Sequence, residues 1–89
     1  MPSHCEIEGC DRPKGGDDHI CPVRLAARTD QDPHDIRNLM AVCVHHNNYK
    51  KKAERMLAAG NKLGFEQHLR AENWPMERVE QALRIYGWS

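Results

Sequence analysis

Apolar positions change their rhythm once along this chain, near its middle. Residues 1–37 hold only brief apolar runs among Gly, Pro, Asp and His, with turn signals at Arg12-Pro13, Gly15-Gly16 and Asp32-Pro33. That texture argues against long helices and for loops and short strands. Two short runs bounded by turn residues, Asp18 to Val23 and Met40 to Val44, predict strands. From His46 the period becomes helical, since Tyr49, Ala53, Met56 and Leu57 share one face before the stop at Gly60-Asn61. Phe65 and Leu69, four apart, predict a shorter helix from Phe65 to about Glu72. A last helix opens at Trp74-Pro75, where proline is tolerated, and Met76, Val79, Leu83 and Tyr86 form its apolar stripe before Gly87. The pattern describes one α+β domain over residues 1–89, with a core at about 5–60 and a helical extension at 61–89.

Composition adds a constraint. A chain of 89 residues buries only about 60–65 % of the surface its unfolded form exposes. With 39 % hydrophobic residues and a single Phe, apolar packing is thin, and domains this small lean on disulfides or a metal. The four Cys and six His make a metal the economical choice. Thirteen Lys and Arg cancel thirteen Asp and Glu, so the overall charge names no nucleic-acid or membrane partner. The longest apolar stretch is a few residues, too short to span a bilayer, and Met1-Pro2-Ser3-His4-Cys5 lacks the basic and apolar segments of a signal peptide. A cytoplasmic protein is expected, in which thiols stay reduced and spaced cysteines read as metal ligands.

Cys5 and Cys10 are separated by four residues and Cys43 and His46 by two, far apart in the chain. Two short knuckles closing one tetrahedral site is a structural zinc pattern, because thiolate and imidazole are the preferred ligands of zinc and four of them leave no open position. His45 competes with His46 for the fourth place, and His4 sits beside Cys5; the two-residue gap favours His46. Cys21, left over in an apolar run, reads as a core thiol. Charge is locally uneven: between Ile36 and Lys62 stand Arg37, Lys50, Lys51, Lys52, Arg55 and Lys62 against Glu54 alone. Such a run is either a solvated helix face or a surface for phosphates.

Asp18-His19-Ile20-Cys21-Pro22, then Asn38-Leu39, then Cys43-x-x-His46-Asn47-x-x-Lys50 follow in order, with Cys5 and Cys10 upstream. Together they resemble the HNH endonucleases over about residues 5 to 52. Each piece alone is common; four in this order with zinc ligands interleaved are specific. His46 stands where the family usually has a second Cys, and Asn47 where it has His or Asn. The resemblance implies a ββα-metal arrangement, a two-stranded ribbon packed on a helix, and implies nothing about residues 53–89.

The residues themselves supply a chemistry for that reading. Phosphodiester hydrolysis at neutral pH needs an activated water and positive charge near the oxygens of the transition state. His19, whose imidazole titrates near neutrality, fits the general base. Asn38 joins it among the catalytic positions by tying the inter-strand loop with its amide and so orienting His19. Asp18 and Asn47 offer two oxygen ligands to a hard cation, Mg2+ or Mn2+. Neighbouring strand residues point to opposite faces, so Asp18 and His19 serve one site only where the strand ends or turns irregular. Lys50, Lys51, Lys52 and Arg55 are the expected DNA contacts. The expected protein is a DNA endonuclease that nicks one strand per encounter as a monomer, the stripe from Met76 to Tyr86 packing within the chain rather than in a homodimer. The alternative is a non-catalytic zinc module that binds nucleic acid or protein through the basic helix.

Overall fold

The computed structural model describes residues 3–88. Its elements are β1 (Gly16–His19), α1 (Val23–Ala26), β2 (Leu39–Val42), α2 (Val44–Ala58), α3 (Lys62–Arg70) and α4 (Met76–Ile85), with a 3-10 turn at Ile36–Asn38 leading into β2. The strands form a two-stranded antiparallel sheet in the register Gly16↔Val42, Asp17↔Ala41, Asp18↔Met40 and His19↔Leu39. Alternation along β1 turns Asp18 inward beside the buried Met40 and leaves Asp17 exposed and His19 half-buried.

β1 starts and stops earlier than the expected Asp18–Val23. Asn38, fully buried, takes the Cys21 N–H on its Oδ1 at 2.7 Å and gives its Nδ2 to the Cys21 carbonyl at 3.0 Å. Cys21 therefore has no backbone groups left for a ladder, and Pro22 at once caps the short helix α1. β2 likewise ends before Val44, because Cys43 becomes the N-cap of α2 and starts that helix two residues ahead of His46. α3 begins at Lys62 rather than Phe65, since the Asn61 side chain accepts from the Gly64 N–H at 2.9 Å and opens a turn that apolar spacing does not reveal.

The last three helices end alike. Gly60, Asn73 and Gly87 all have positive φ, and in each case the next residue's N–H reaches five residues back: Asn61 to Met56, Trp74 to Leu69 and Trp88 to Leu83. This is the Schellman stop, which demands a left-handed residue just past the helix. The glycines are visible in the sequence as stops; Asn73 is not, being the uncommon residue that tolerates the conformation.

One apolar cluster joins β2 and the helices: Ile7 from the first loop, Met40 and Val42 from β2, Leu25 from α1, Leu57 from α2, Phe65 from α3 and Leu83 from α4. The stripe of α4 packs here, with Val79, Leu83 and Tyr86 buried in the chain's own core. α4 also clamps the sheet, because Arg78 donates to Glu6 Oε1 at 2.7 Å and to the Leu39 carbonyl at 2.6 Å. Glu6 in turn covers the free edge of β2 by taking the Ala41 N–H on its carboxylate and giving its own N–H to the Ala41 carbonyl. Among the described residues no helix is long and apolar enough to cross a membrane.

Candidate metal centre and active site

The first loop folds back on itself so that the Cys10 N–H meets the Ile7 carbonyl, a turn that needs the left-handed Gly9 between them. Cys5 and Cys10 are thereby brought to the start of α2. There Cys43, at the N-cap, accepts the His46 N–H on its sulfur at 3.4 Å. N-cap and third helical residue lie on one side of the first turn, which is why a two-residue gap puts the thiol and the imidazole together.

The Sγ atoms of Cys5, Cys10 and Cys43 and a ring nitrogen of His46 all lie within 4.8 Å of one another, close enough to hold one metal ion. Bond lengths of about 2.3 Å to sulfur and 2.0 Å to nitrogen give a tetrahedron with edges of about 3.8 Å between sulfurs and about 3.5 Å from sulfur to nitrogen. Cys10 Sγ and Cys43 Sγ are 3.9 Å apart, Cys5 Sγ and His46 Nδ1 3.7 Å, and Cys43 Sγ and His46 Nδ1 3.1 Å. Three thiols and an imidazole at these separations suit zinc. His46, not His45, is the imidazole at this centre, and His4 is outside it. Burial acts to raise the Cys43 thiol, but hydrogen bonds from the His46 backbone and ring and from Cys5 and Cys10 outweigh it and hold the group down at about 6. The thiolate a metal needs is thus favoured by the fold. Cys21, by contrast, is fully buried and pushed up to about 11 by desolvation, an inert core thiol.

The second constellation begins one turn further along α2, where Lys50 reaches from the helix to the end of β1. Its Nζ donates to the His19 carbonyl at 3.0 Å and to Glu54 Oε2 at 2.6 Å, and lies 3.3 Å from Asp18 Oδ2. Lys50 is completely buried. The expected role of Lys50 as a DNA contact on the helix surface is therefore corrected: it is an internal cross-link. Lys51, Lys52 and Arg55 are exposed as expected. Arg24, which the charge run along α2 does not include, lines a groove of about 410 Å³ together with Lys51, Arg55 and the acidic Glu54, beside Pro22 and Leu25.

Asp18 Oδ2 is buried and has no hydrogen bond; the Lys50 ammonium is near but off the bonding direction. Desolvation raises Asp18 to about 6, against the pull of Lys50 and with the help of Glu54. That oxygen makes no hydrogen bond, and its charge is balanced by the Lys50 ammonium at 3.3 Å, so a divalent cation bound here would share the carboxylate with Lys50. Asn47 is exposed in the first turns of α2, three residues before Lys50 on the same side of the helix. His19 is the last residue of β1, so the strand alternation that turns Asp18 inward does not continue beyond it. Burial, and then the charges of His34 and Lys50, lower His19 below the ordinary imidazole value and so favour its neutral form. Its Nε2 lies 2.9 Å from Nδ1 of His34. His34 stands in the turn after Asp32-Pro33, and no spacing in the sequence marks it.

Asn38 has no side-chain group free for solvent, since Nδ2 also donates to the Pro33 carbonyl at 3.0 Å, while its backbone carbonyl receives the Ile20 N–H at 2.8 Å. Its side chain thus ties the segment after His19 to the turn at Pro33. Comparison with protein-family models, with curated proteins and with solved structures finds no match for this chain.

Proposed function

We propose that this chain is a divalent-metal-dependent DNA endonuclease, held together by a structural zinc and hydrolysing one phosphodiester bond per encounter. The observation that carries the reading is that Lys50 binds both the Asp18 carboxylate region and the His19 carbonyl, bringing the end of β1 against the helix that bears Asn47. Two strands followed directly by a helix is also what the resemblance to the HNH endonucleases implies.

In this reading His19 takes a proton from water, whose oxygen bonds to phosphorus while the ester P–O bond breaks and the departing oxygen is protonated by solvent. Asp18 and Asn47 would hold Mg2+ or Mn2+, which when bound neutralises phosphate charge and eases departure of the leaving oxygen. Arg24, Lys51, Lys52 and Arg55 hold the phosphate backbone. The intramolecular burial of the α4 stripe supports a monomer with one active site, and hence nicking rather than double-strand cleavage. One observation favours the alternative of a non-catalytic zinc module: an ammonium already stands beside Asp18.

A supercoiled plasmid with Mn2+ separates the two. The wild-type protein is expected to produce open-circular DNA first and linear DNA late. His19→Ala is expected to slow nicking by about 10²-fold or more with zinc content and DNA affinity kept, and Asp18→Ala and Asn47→Ala to shift activation to higher metal concentration. Wild-type rates in His19→Ala overturn the mechanism. Replacing Arg24, Lys51, Lys52 and Arg55 by Ala is expected to flatten the plot of log affinity against log salt by about one unit for each phosphate no longer neutralised; an unchanged slope places the DNA elsewhere.

A further inference from the structure

The turn that carries His34 is pinned at three successive residues. The Tyr86 hydroxyl, at the end of α4, donates to the Asp32 carbonyl at 2.7 Å. Asn38 Nδ2 donates to the Pro33 carbonyl, and the His34 N–H donates to Asp32 Oδ1 at 2.9 Å. An exposed loop held this way has a fixed backbone, so the imidazole it presents has few placements. It presents that imidazole edge-on to His19, with ring centroids 4.9 Å apart and planes at 67°.

We infer that His34 is the positioning residue of His19: its Nδ1 accepts from His19 Nε2–H and so leaves the lone pair of His19 on Nδ1. The direction of the bond follows from its atoms. A contact between Nε2 of His19 and Nδ1 of His34 holds one proton. If His19 donates, both rings are in the Nε2–H form that a free neutral histidine side chain prefers in water. If His34 donates, both rings must take the less stable Nδ1–H form, and the remaining lone pair of His19 is tied up in the bond. The first arrangement is therefore the more stable, and it is the one that leaves a base. A second ring nitrogen fixed by a neighbour is the common way in which a functional histidine is held in one tautomer.

The inference rests on the reading of His19 as general base, and it assigns a task to the C-terminal extension. Tyr86 lies outside the segment that resembles the nucleases, yet its hydroxyl anchors the turn whose next-but-one residue is His34.

The test is a long-range proton–nitrogen NMR spectrum of the 15N-histidine-labelled, zinc-loaded full chain, recorded where both rings are neutral, alongside plasmid nicking. His19 is expected in the Nε2–H form in the wild type. His34→Ala is expected to give a tautomer mixture and about ten- to a hundredfold slower nicking, with unchanged zinc content and circular dichroism. His34→Asn, whose Oδ1 can accept in place of Nδ1, is expected to restore the single form and most of the rate. Tyr86→Phe, which loses only the hydroxyl, is expected to fall between. A wild-type His19 in the Nδ1–H form, or a His19 signal that His34→Ala leaves unmoved, overturns the assignment. Because the tautomer is read without DNA, a wild-type protein that cuts nothing would overturn the nuclease reading alone.

Discussion

Removing the metal with a strong chelator, or replacing Cys43 by Ala, is expected to melt the N-terminal half of the chain. Between residues 3 and 15 the buried apolar side chains are Cys5 and Ile7, with Cys10 packed at the edge, and the backbone makes no strand beyond the isolated bridge His4↔Pro13. The four-donor centre joins Cys5 and Cys10 to α2, while the rest of the segment is held by the Glu6 pairing with Ala41, the Arg78 bridge and the Gly15 N–H on the Val42 carbonyl. Structural zinc sites supply about 10–16 kcal/mol of apparent folding free energy in small domains, as much as the whole stability of an ordinary one, about 5–15 kcal/mol. Cys43→Ala also removes the sulfur that caps α2, so helix signal should fall with the loop in that variant. Metal analysis with circular dichroism and hydrogen exchange checks this: a Cys5→Ala protein that binds no zinc and keeps protected amides at Glu6 and Ala41 would show that packing alone holds the fold.

Lys50→Ala is expected to cost about 3–5 kcal/mol, the penalty for stripping a partner from a buried ionic group. The ammonium is the hydrogen-bond donor shared by Glu54 and the His19 carbonyl and, among the described residues, the only cation paired with Asp18. Its removal leaves a nearly buried carboxylate and a carbonyl without compensation. The double change Asp18→Asn with Lys50→Met removes both charges and keeps volume, so its destabilisation should be smaller than that of Lys50→Ala alone, a coupling that urea unfolding can read. Additive effects, or a Lys50→Ala protein with an unshifted midpoint, would mean that the ion group is solvated in practice. Should the single variant fail to fold, the double variant still decides the point.

Much of this molecule is open to reading from residues alone wherever a local rule sets the outcome. Gly60 and Gly87 announce helix ends, because few other residues take the left-handed conformation those stops need. Cys5, Cys10, Cys43 and His46 announce a centre, because paired short spacings are what closing a tetrahedron from two loops requires. The stripe of α4 announces its burial: Val79, Leu83 and Tyr86 are buried and Met76 packs at the edge.

Where a distant partner decides, the same kind of reading misleads. Ile20 to Val23 looks like strand, yet Asn38, far along the chain, takes the backbone of Cys21 and stops β1 at His19. Lys50 sits in a run of three lysines; its place three residues before Ala53 and seven before Leu57 puts it on the inner face of α2, but only the approach of β1 supplies the Asp18 carboxylate that it meets there while Lys51 and Lys52 face water. Arg24 joins Lys51 and Arg55 because residues of α1 and α2 line one groove, and His34 meets His19 because Tyr86 and Asn38 pin the turn between them. Residue order and spacing thus settle the glycine helix stops, the apolar stripe of α4 and the two donor pairs that meet in one cluster, since each follows from a pattern within a few residues. Which charges are buried and which histidine faces which are settled by the folded chain, since a side chain's solvent and partners come from segments that no local pattern names.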